Sequence, residues 1–239
     1  MNKRGLNHIE MMLSFLIFIG FIIFALYFFS PFKASRLVES SASYITSELN
    51  KNLSVSIESY SVKMDVTSIS GNGGISLTGI DSSKNVRADN GKGTKISSER
   101  NGDSIDFVKS EVFSSNPQNA FAIFKFSEDF SPETLSPDGA PLASDKYSIV
   151  STESSSIISE KRILLLNSSY YQDYSGLKKH FNLPNRVNFG FLFKFDSGES
   201  IESQKEIQSG VEVYSNVKRV EVMRSDGSIV FADFVIRIW

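Results

Sequence analysis

The stretch Arg4-Gly5-Leu6-Asn7-His8-Ile9-Glu10-Met11-Met12, continued by an apolar run to Phe29, decides how this chain is organised. Between Met11 and Phe29 no residue is charged, and Ser14 is the only clearly polar side chain. A helix over these residues is about 28 Å long, close to the ~30 Å thickness of bilayer hydrocarbon. The run therefore predicts a transmembrane helix over residues 11–29.

Three other interpretations of the run are less consistent with the sequence. Large side chains occur on every side of the helix, which disfavours both a surface-lying amphipathic helix and a soluble core helix; six of them are Phe15, Phe18, Phe21, Phe24, Phe28 and Phe29. A secretory signal peptide has a shorter apolar region that ends at small residues, whereas Tyr27-Phe28-Phe29-Ser30-Pro31 closes this one. We expect a retained single-pass membrane anchor, with a cytoplasmic N-terminus and extracellular residues 30–239.

The residues before the run carry a resemblance to a known family. Lys3-Arg4-Gly5, followed by Leu6 and by Glu10 five positions after the glycine, resembles the leader of type IV prepilins, which in archaea is called a class III signal peptide. The resemblance covers residues 3–29. It implies a pilin-like protein that a prepilin-type peptidase cuts between Gly5 and Leu6, which leaves residues 1–5 as the leader.

Glu10 has two possible roles at the edge of the apolar run. A carboxylate at this depth is unfavourable unless it is paired. Cleavage would give Leu6 a positive α-amino group, and residues 6 and 10 are one helical turn apart. That amine, or the amine of a neighbouring pilin-like subunit, would neutralise Glu10 during assembly. The alternative is an interfacial glutamate that balances Lys3 and Arg4.

Composition limits the remaining classes of function. The chain has 239 residues, a formal net charge of −2, no cysteine and two histidines. There is no basic stripe, so nucleic acid is not an expected partner. Disulfides and thiolate metal sites are excluded, and a histidine-based catalytic or metal site is not expected. We therefore predict a protein that is not an enzyme, with no cofactor, no metal and no evident small-molecule substrate.

The chain after the anchor predicts a helix followed by strands. An apolar stripe indicates an amphipathic helix that ends near residue 52; its members are Ala34, Val38, Ala42, Ile45 and Leu49. From Leu53 the apolar period is two, which predicts a β-rich outer region over residues 53–160. The parity of that period changes near Ser59, which predicts a bulge or tight turn there. Ala120–Phe126 is apolar enough to be a central strand.

Residues 161–239 predict a small α+β unit of strand, helix, strand and hairpin. We assign the first strand to Arg162–Leu166 and a helix to the following residues, with Ser169 and Gln172 spaced as a capping box. Four alternating phenylalanines then predict a strand; they are Phe189, Phe191, Phe193 and Phe195. Asp226-Gly227 predicts the turn of a terminal hairpin. The fold class is α+β, with a long N-terminal transmembrane and stalk helix.

Asn52-Leu53-Ser54 and Asn167-Ser168-Ser169 match the N-glycosylation sequon, so Asn52 and Asn167 are possible modification sites. The function that the sequence favours is a structural or minor subunit of a type IV pilus-like or secretion-type assembly, with its β-rich head as a contact surface. The run is rich in Phe rather than in the small residues that let helices pack closely, which favours a minor component. The alternative is an uncleaved, signal-anchored cell-envelope binding protein that does not polymerise.

Overall fold

The computed structural model describes residues 3–28, 32–112, 116–136, 139–184 and 186–239, with the side chains of residues 3–9, 28 and 32–40 left out of the description. Phe29, the last residue of the predicted span, lies outside these ranges. The chain divides into two compact units, Met1–Tyr44 and Ile45–Trp239. Each unit is described by itself.

Four α-helices and thirteen strands make up the described chain. In order they are α1 Lys3–Phe28, α2 Phe32–Leu53, β1 Ser54–Met64, β2 Asn72–Ser76, β3 Asn85–Asp89, β4 Lys95–Ile96, β5 Ser98–Asn101, β6 Ser104–Val108, β7 Ala120–Ser127, β8 Ala140–Pro141, β9 Tyr147–Ser159, α3 Glu160–Gln172, α4 Tyr174–His180, β10 Phe189–Phe195, β11 Ser200–Ser203, β12 Tyr214–Met223 and β13 Ile229–Ile238. The first unit therefore holds α1 and most of α2, and the second holds every strand.

The strands form two sheets. The larger has nine strands in the order β11-β10-β13-β12-β9-β1-β7-β3-β4, and the smaller has four in the order β5-β6-β2-β8. Neighbouring strands are antiparallel, except that β9 pairs with β12 and β2 pairs with β8 in parallel. Strands from both sides of residue 160 thus share one sheet, so the two regions predicted as 53–160 and 161–239 form one compact unit.

One face of the larger sheet is covered by different layers at its two ends. At the β1-β7-β3-β4 end, Phe124 and Phe126 pack with residues of the smaller sheet, including Phe107. At the other end, the ring of Tyr170 in α3 lies 5.6 Å from that of Phe189 and 5.9 Å from that of Phe191 in β10. The cross-strand registers place both sets on the same face, because paired residues point the same way.

The change in the parity of the apolar residues near Ser59 does not arise from the bulge or tight turn that we predicted there. β1 runs continuously through Ser59, and its register with β9 shifts only between Ser61 and Val62, where Val150 of β9 is skipped. Val55 and Ile57 pack with Phe130 and Met223, whereas Val62 and Met64 join the core below the smaller sheet. The strand therefore buries opposite faces at its two ends.

The prediction of a strand at Arg162–Leu166 was wrong, because these residues belong to α3. Its four consecutive apolar residues have the composition of a buried strand, but Ile163 and Leu166 are buried while Leu164 and Leu165 are 54% and 60% exposed. That spacing is helical. Ser169 is not a cap, since its hydroxyl donates to the carbonyl oxygen of Leu165 at 2.9 Å inside the helix.

Other predictions for this half of the chain are confirmed. The four alternating phenylalanines form β10 and are buried. β12 and β13 are an antiparallel hairpin around Asp226-Gly227, and β7 lies between β1 and β3 inside the larger sheet. The single helix predicted here is divided in two: α4 follows α3 and begins after Asp173, whose carboxylate accepts the backbone N–H of Gly176 at 2.8 Å.

Candidate functional site

The described side chains of the apolar helix α1, from Glu10 to Tyr27, are mostly exposed. No residue of Glu10–Tyr27 is buried, and this segment is long and apolar enough to cross a membrane or to serve as a signal sequence. All of its large apolar side chains except Ile19 are exposed, with exposed fractions from 39% at Ile22 to 74% at Met11. So much apolar surface in water is unfavourable, which means that the helix needs a nonaqueous environment.

The predicted processing and assembly residues all lie in α1. Gly5 and Leu6 are within the helical backbone near its N-terminus, and their side chains are outside the described set. Glu10 is exposed and begins the apolar segment. The helix is continuous from Lys3, so positions 6 and 10 are one turn apart, as the assembly hypothesis requires.

Both predicted sequon asparagines lie in helices rather than loops. The side-chain amide of Asn52 in α2 donates to the carbonyl oxygen of Glu48 at 2.7 Å. The amide of Asn167 in α3 donates to the carbonyl oxygen of Glu202 at 2.9 Å and to the hydroxyl of Ser203 at 3.0 Å. Glycosylation remains a prediction, and a glycan at either nitrogen would have to replace these hydrogen bonds.

A buried cluster of tyrosines and lysines joins α3 and α4 to β10. The hydroxyl of Tyr170 donates to the carbonyl oxygen of Phe189 at 2.6 Å and accepts the N–H of Lys205 at 3.2 Å. The hydroxyl of Tyr174 accepts the N–H of Phe189 at 2.9 Å. Burial raises the pKa of both tyrosine hydroxyls, so both remain neutral donors at physiological pH.

Lys178 extends this cluster. Its amino group lies 3.3 Å from the side-chain oxygen of Asn188 and 5.7 Å from the ring centre of Tyr174. Burial, together with the positive charge of Lys205, lowers the pKa of Lys178. Sequence reasoning did not identify Lys178 as a buried residue. The cluster has the contacts of a structural core.

Asp129 was a second buried polar residue that sequence reasoning missed. Its carboxylate accepts from Nε of Arg162 at 2.9 Å, and the guanidinium of Arg162 also donates to the carbonyl oxygen of Ser54 at 2.7 Å. These contacts fasten the start of α3 to the start of β1. Among the described residues, no group of three or more His, Cys, Asp or Glu side chains could hold a metal ion.

Two cavities among the described residues do not gather a reactive set of groups. One, of about 430 Å³, is lined by Val66, Val108 and Lys109, whose amino group donates to the carbonyl oxygen of Ile69. Another, of about 410 Å³, is lined by Leu53, Leu166 and Phe181, with Arg162 and His180 at its rim. His180 contacts the side-chain oxygen of Asn52 at 3.2 Å.

The larger sheet is split between two of its central strands. β9 and β12 pair only at Ile158 with Val222 and at Ser159 with Met223. Away from these pairs, residues 150–157 of β9 and 214–221 of β12 remain extended but bond only to their outer neighbours, β1 and β13. We call the gap between these two facing edges the strand cleft. The sequence did not predict it, because its Ser-rich strand lacks an apolar pattern.

Comparisons with known proteins find no match to this chain among family models, curated proteins or solved structures.

Proposed function

We propose that this chain is a pilin-like, single-pass surface protein, a structural or minor subunit of a type IV pilus-like or secretion-type assembly. In this proposal α1 is the membrane anchor, and Ile45–Trp239 is the extracellular, β-rich head that contacts partners. The observation that carries the proposal is the uncovered apolar segment Glu10–Tyr27, placed directly after the Lys3-Arg4-Gly5 leader pattern.

Transfer of the helix from water to lipid supports the anchor. About seventeen apolar residues at roughly −0.4 kcal/mol each favour insertion by on the order of 7 kcal/mol. Glu10 stands at the end of the segment, where the penalty for a charge is smaller than the ~2.5–3.5 kcal/mol at the helix centre. Insertion is therefore favoured despite the carboxylate.

The leader pattern gives Glu10 its role in the proposal. Cleavage after Gly5 leaves the α-amino group of Leu6 one helical turn from the Glu10 carboxylate. Pairing of the two charges, within one chain or between neighbouring chains, removes the cost of an isolated carboxylate beside hydrocarbon. Partners of the proposed protein are the membrane, a prepilin-type peptidase and other pilin-like subunits.

The side chains on the surface of α1 support a second candidate function. Large exposed side chains surround the helix, and they prevent the close backbone approach that small residues allow between membrane helices. This observation favours an uncleaved, signal-anchored cell-envelope binding protein that never polymerises. The two functions share the anchor and differ in processing and assembly.

N-terminal sequencing of the protein extracted from membranes separates them. The pilin-like function predicts a mature N-terminus at Leu6, because the peptidase removes residues 1–5. The matched control is Gly5→Val, which removes the glycine of the cleavage site and should leave residues 1–5 attached. An intact Met1 on the unsubstituted chain would contradict processing and support the uncleaved anchor.

The substitution Glu10→Gln tests the assembly role. It removes the charge that pairs with the Leu6 amine, so recovery of the chain in sheared filaments should fall at least about fivefold, as expected for loss of a charge pair of about 1 kcal/mol. Membrane extraction should be unchanged, because the apolar run is intact. Glu48→Gln, which lies outside this run, is the control. Equal filament recovery for Glu10→Gln and Glu48→Gln would argue against the role of Glu10.

A further inference from the structure

The strand cleft exposes two unpaired backbone edges in the middle of a sheet. Residues 150–157 of β9 and 214–221 of β12 each have one edge that is not paired, and among the described residues no other strand pairs with either edge. Each edge presents alternating N–H and C=O groups with the spacing of a strand. An extended polypeptide strand carries the backbone groups that pair with edges of this kind.

The side chains along both edges of the cleft are largely exposed. All residues from Ser148 to Ser156 are exposed, as are residues 215–219 of β12. In β9, side chains on both faces of the strand are therefore accessible. Natural edge strands are usually protected by lysine, proline or a bulge. The β9 edge of the cleft has neither lysine nor proline, and its bulge at Val150 lies at the far end from the β12 pairing.

Two charges define what the added strand should carry. The registers place Lys218 on the same face as Val222, and Glu153 on the opposite face of the sheet. Neither side chain forms an ion pair with another described residue. By contrast, Arg219 of β12 is engaged by Asp196 at 2.5 Å and by Asp233 at 3.3 Å. Lys218 and Glu153 are thus available to a partner.

We propose that the strand cleft binds an extended segment of another polypeptide, which adds a strand between β9 and β12. The segment carries an acidic and a basic residue next to each other in its sequence. Neighbouring residues of a strand point to opposite faces, so the acidic side chain meets Lys218 on one face and the basic side chain meets Glu153 on the other. This inference concerns the head alone and holds whether or not the chain is processed or polymerises.

A labelled synthetic peptide tests the proposal on the full chain in detergent. The probe is a fluorescein-labelled strand of alternating Thr and Val with a central Asp-Lys pair, and binding is followed by fluorescence anisotropy. A peptide with alternate amides N-methylated should bind at least about tenfold more weakly, because it loses several backbone donors. A peptide with Asp and Lys two positions apart should also bind more weakly, since both charges then lie on one face.

Charge variants of the chain test whether the acidic residue of the probe lies at Lys218. Lys218→Glu should weaken binding of the Asp-Lys probe severalfold, whereas Lys194→Glu, an exposed lysine on β10, should leave it unchanged. Failure of the probe to bind, equal binding of the N-methylated peptide, or equal effects of the two lysine variants would each overturn the proposal. If the chain instead forms a concentration-dependent dimer that the probe disrupts, the occupant of the cleft is a second copy of this chain. That result would overturn the proposal that a different polypeptide binds there.

A disulfide pair tests whether the cleft is open. The chain has no cysteine, so an introduced pair is unambiguous. Ser154→Cys with Lys218→Cys should oxidise slowly and, once oxidised, should abolish probe binding. Ser56→Cys with Ser156→Cys joins residues that are already paired between β1 and β9, so it should oxidise readily. If both pairs oxidise at the same rate, the two edges are closed on each other and the proposal fails.

Discussion

At the residue scale, Tyr170 connects three parts of the head. Its hydroxyl bonds to β10 through Phe189 and to the segment after β11 through Lys205, while its ring contacts Tyr174 at 4.8 Å. Tyr170 is fully buried, so water does not replace its hydroxyl as the partner of these backbone groups. Loss of a buried hydroxyl that satisfies two backbone groups is more harmful than loss of an exposed one.

Tyr170→Phe should destabilise the protein by about 1–2 kcal/mol, because the Lys205 N–H loses its partner and the Phe189 carbonyl oxygen keeps only the longer bond from the Tyr174 hydroxyl. For a domain of this size the melting temperature Tm should fall by roughly 3–6 °C. Thermal circular dichroism of the detergent-solubilised chain measures this. Tyr171→Phe is the control, because Tyr171 is 61% exposed. Equal changes in Tm for the two variants would show that the buried hydroxyl of Tyr170 stabilises the protein no more than the exposed hydroxyl of Tyr171.

The same residue predicts a dependence on pH. Burial raises the pKa of Tyr170 in the folded state above its ordinary value of about 10. Its stabilising contribution is therefore complete below pH ~10 and is lost as the pH rises above that value. Between pH 8 and pH 10.5 the Tm of the unsubstituted chain should fall more than that of Tyr170→Phe. Parallel losses would contradict the assigned cause.

At the element scale, the β12–β13 hairpin turn is fastened to β3 by a buried arginine. The guanidinium of Arg87 donates to the carbonyl oxygen of Ser131 at 2.5 Å and reaches that of Ser225 at 3.5 Å. Gly227 in the turn has φ +85°, and a Cβ there would lie 3.0 Å from Cγ of Arg87. The turn requires glycine both for its left-handed backbone and for this close approach.

Gly227→Ala should therefore lower Tm more than Gly198→Ala. Gly198 has φ +91°, so alanine at either position costs a similar backbone free energy of about 1–2 kcal/mol. The space around the Cβ position of Gly198 is open. Only Gly227→Ala also places a methyl group in close contact with the side chain of Arg87. The expected additional loss in Tm is roughly 2–4 °C for each extra kcal/mol. Identical melting curves for the two variants would indicate that Arg87 moves aside freely.

The elements also show how far sequence reasoning extends. Strict alternation of phenylalanine was sufficient to predict β10, and Asp226-Gly227 was sufficient for the hairpin turn. The run Ile163-Leu164-Leu165-Leu166 was misassigned, because consecutive apolar residues do not reveal which of them are buried. Burial of Lys178 and Asp129 and the split between β9 and β12 depend on contacts between distant segments, which local patterns do not encode.

At the scale of the whole molecule, two contrasting parts are joined in one chain. Met1–Tyr44 contains a long apolar helix without a covering protein layer, and Ile45–Trp239 is a compact α+β head with its own core. The head needs no disulfide, because the chain has no cysteine. The proposal of a membrane anchor with a folded extracellular head is consistent with both parts, and leader cleavage and filament assembly are further proposals that build on it.

The most direct test of this account is the side of the membrane on which the head lies. Ser209 is exposed in the segment between β11 and β12, and a Ser209→Cys variant carries the only cysteine of the chain. A membrane-impermeant maleimide applied to intact cells should label this variant as fully as it does after lysis. Labelling that occurs only after lysis would place the head in the cytoplasm and contradict the account.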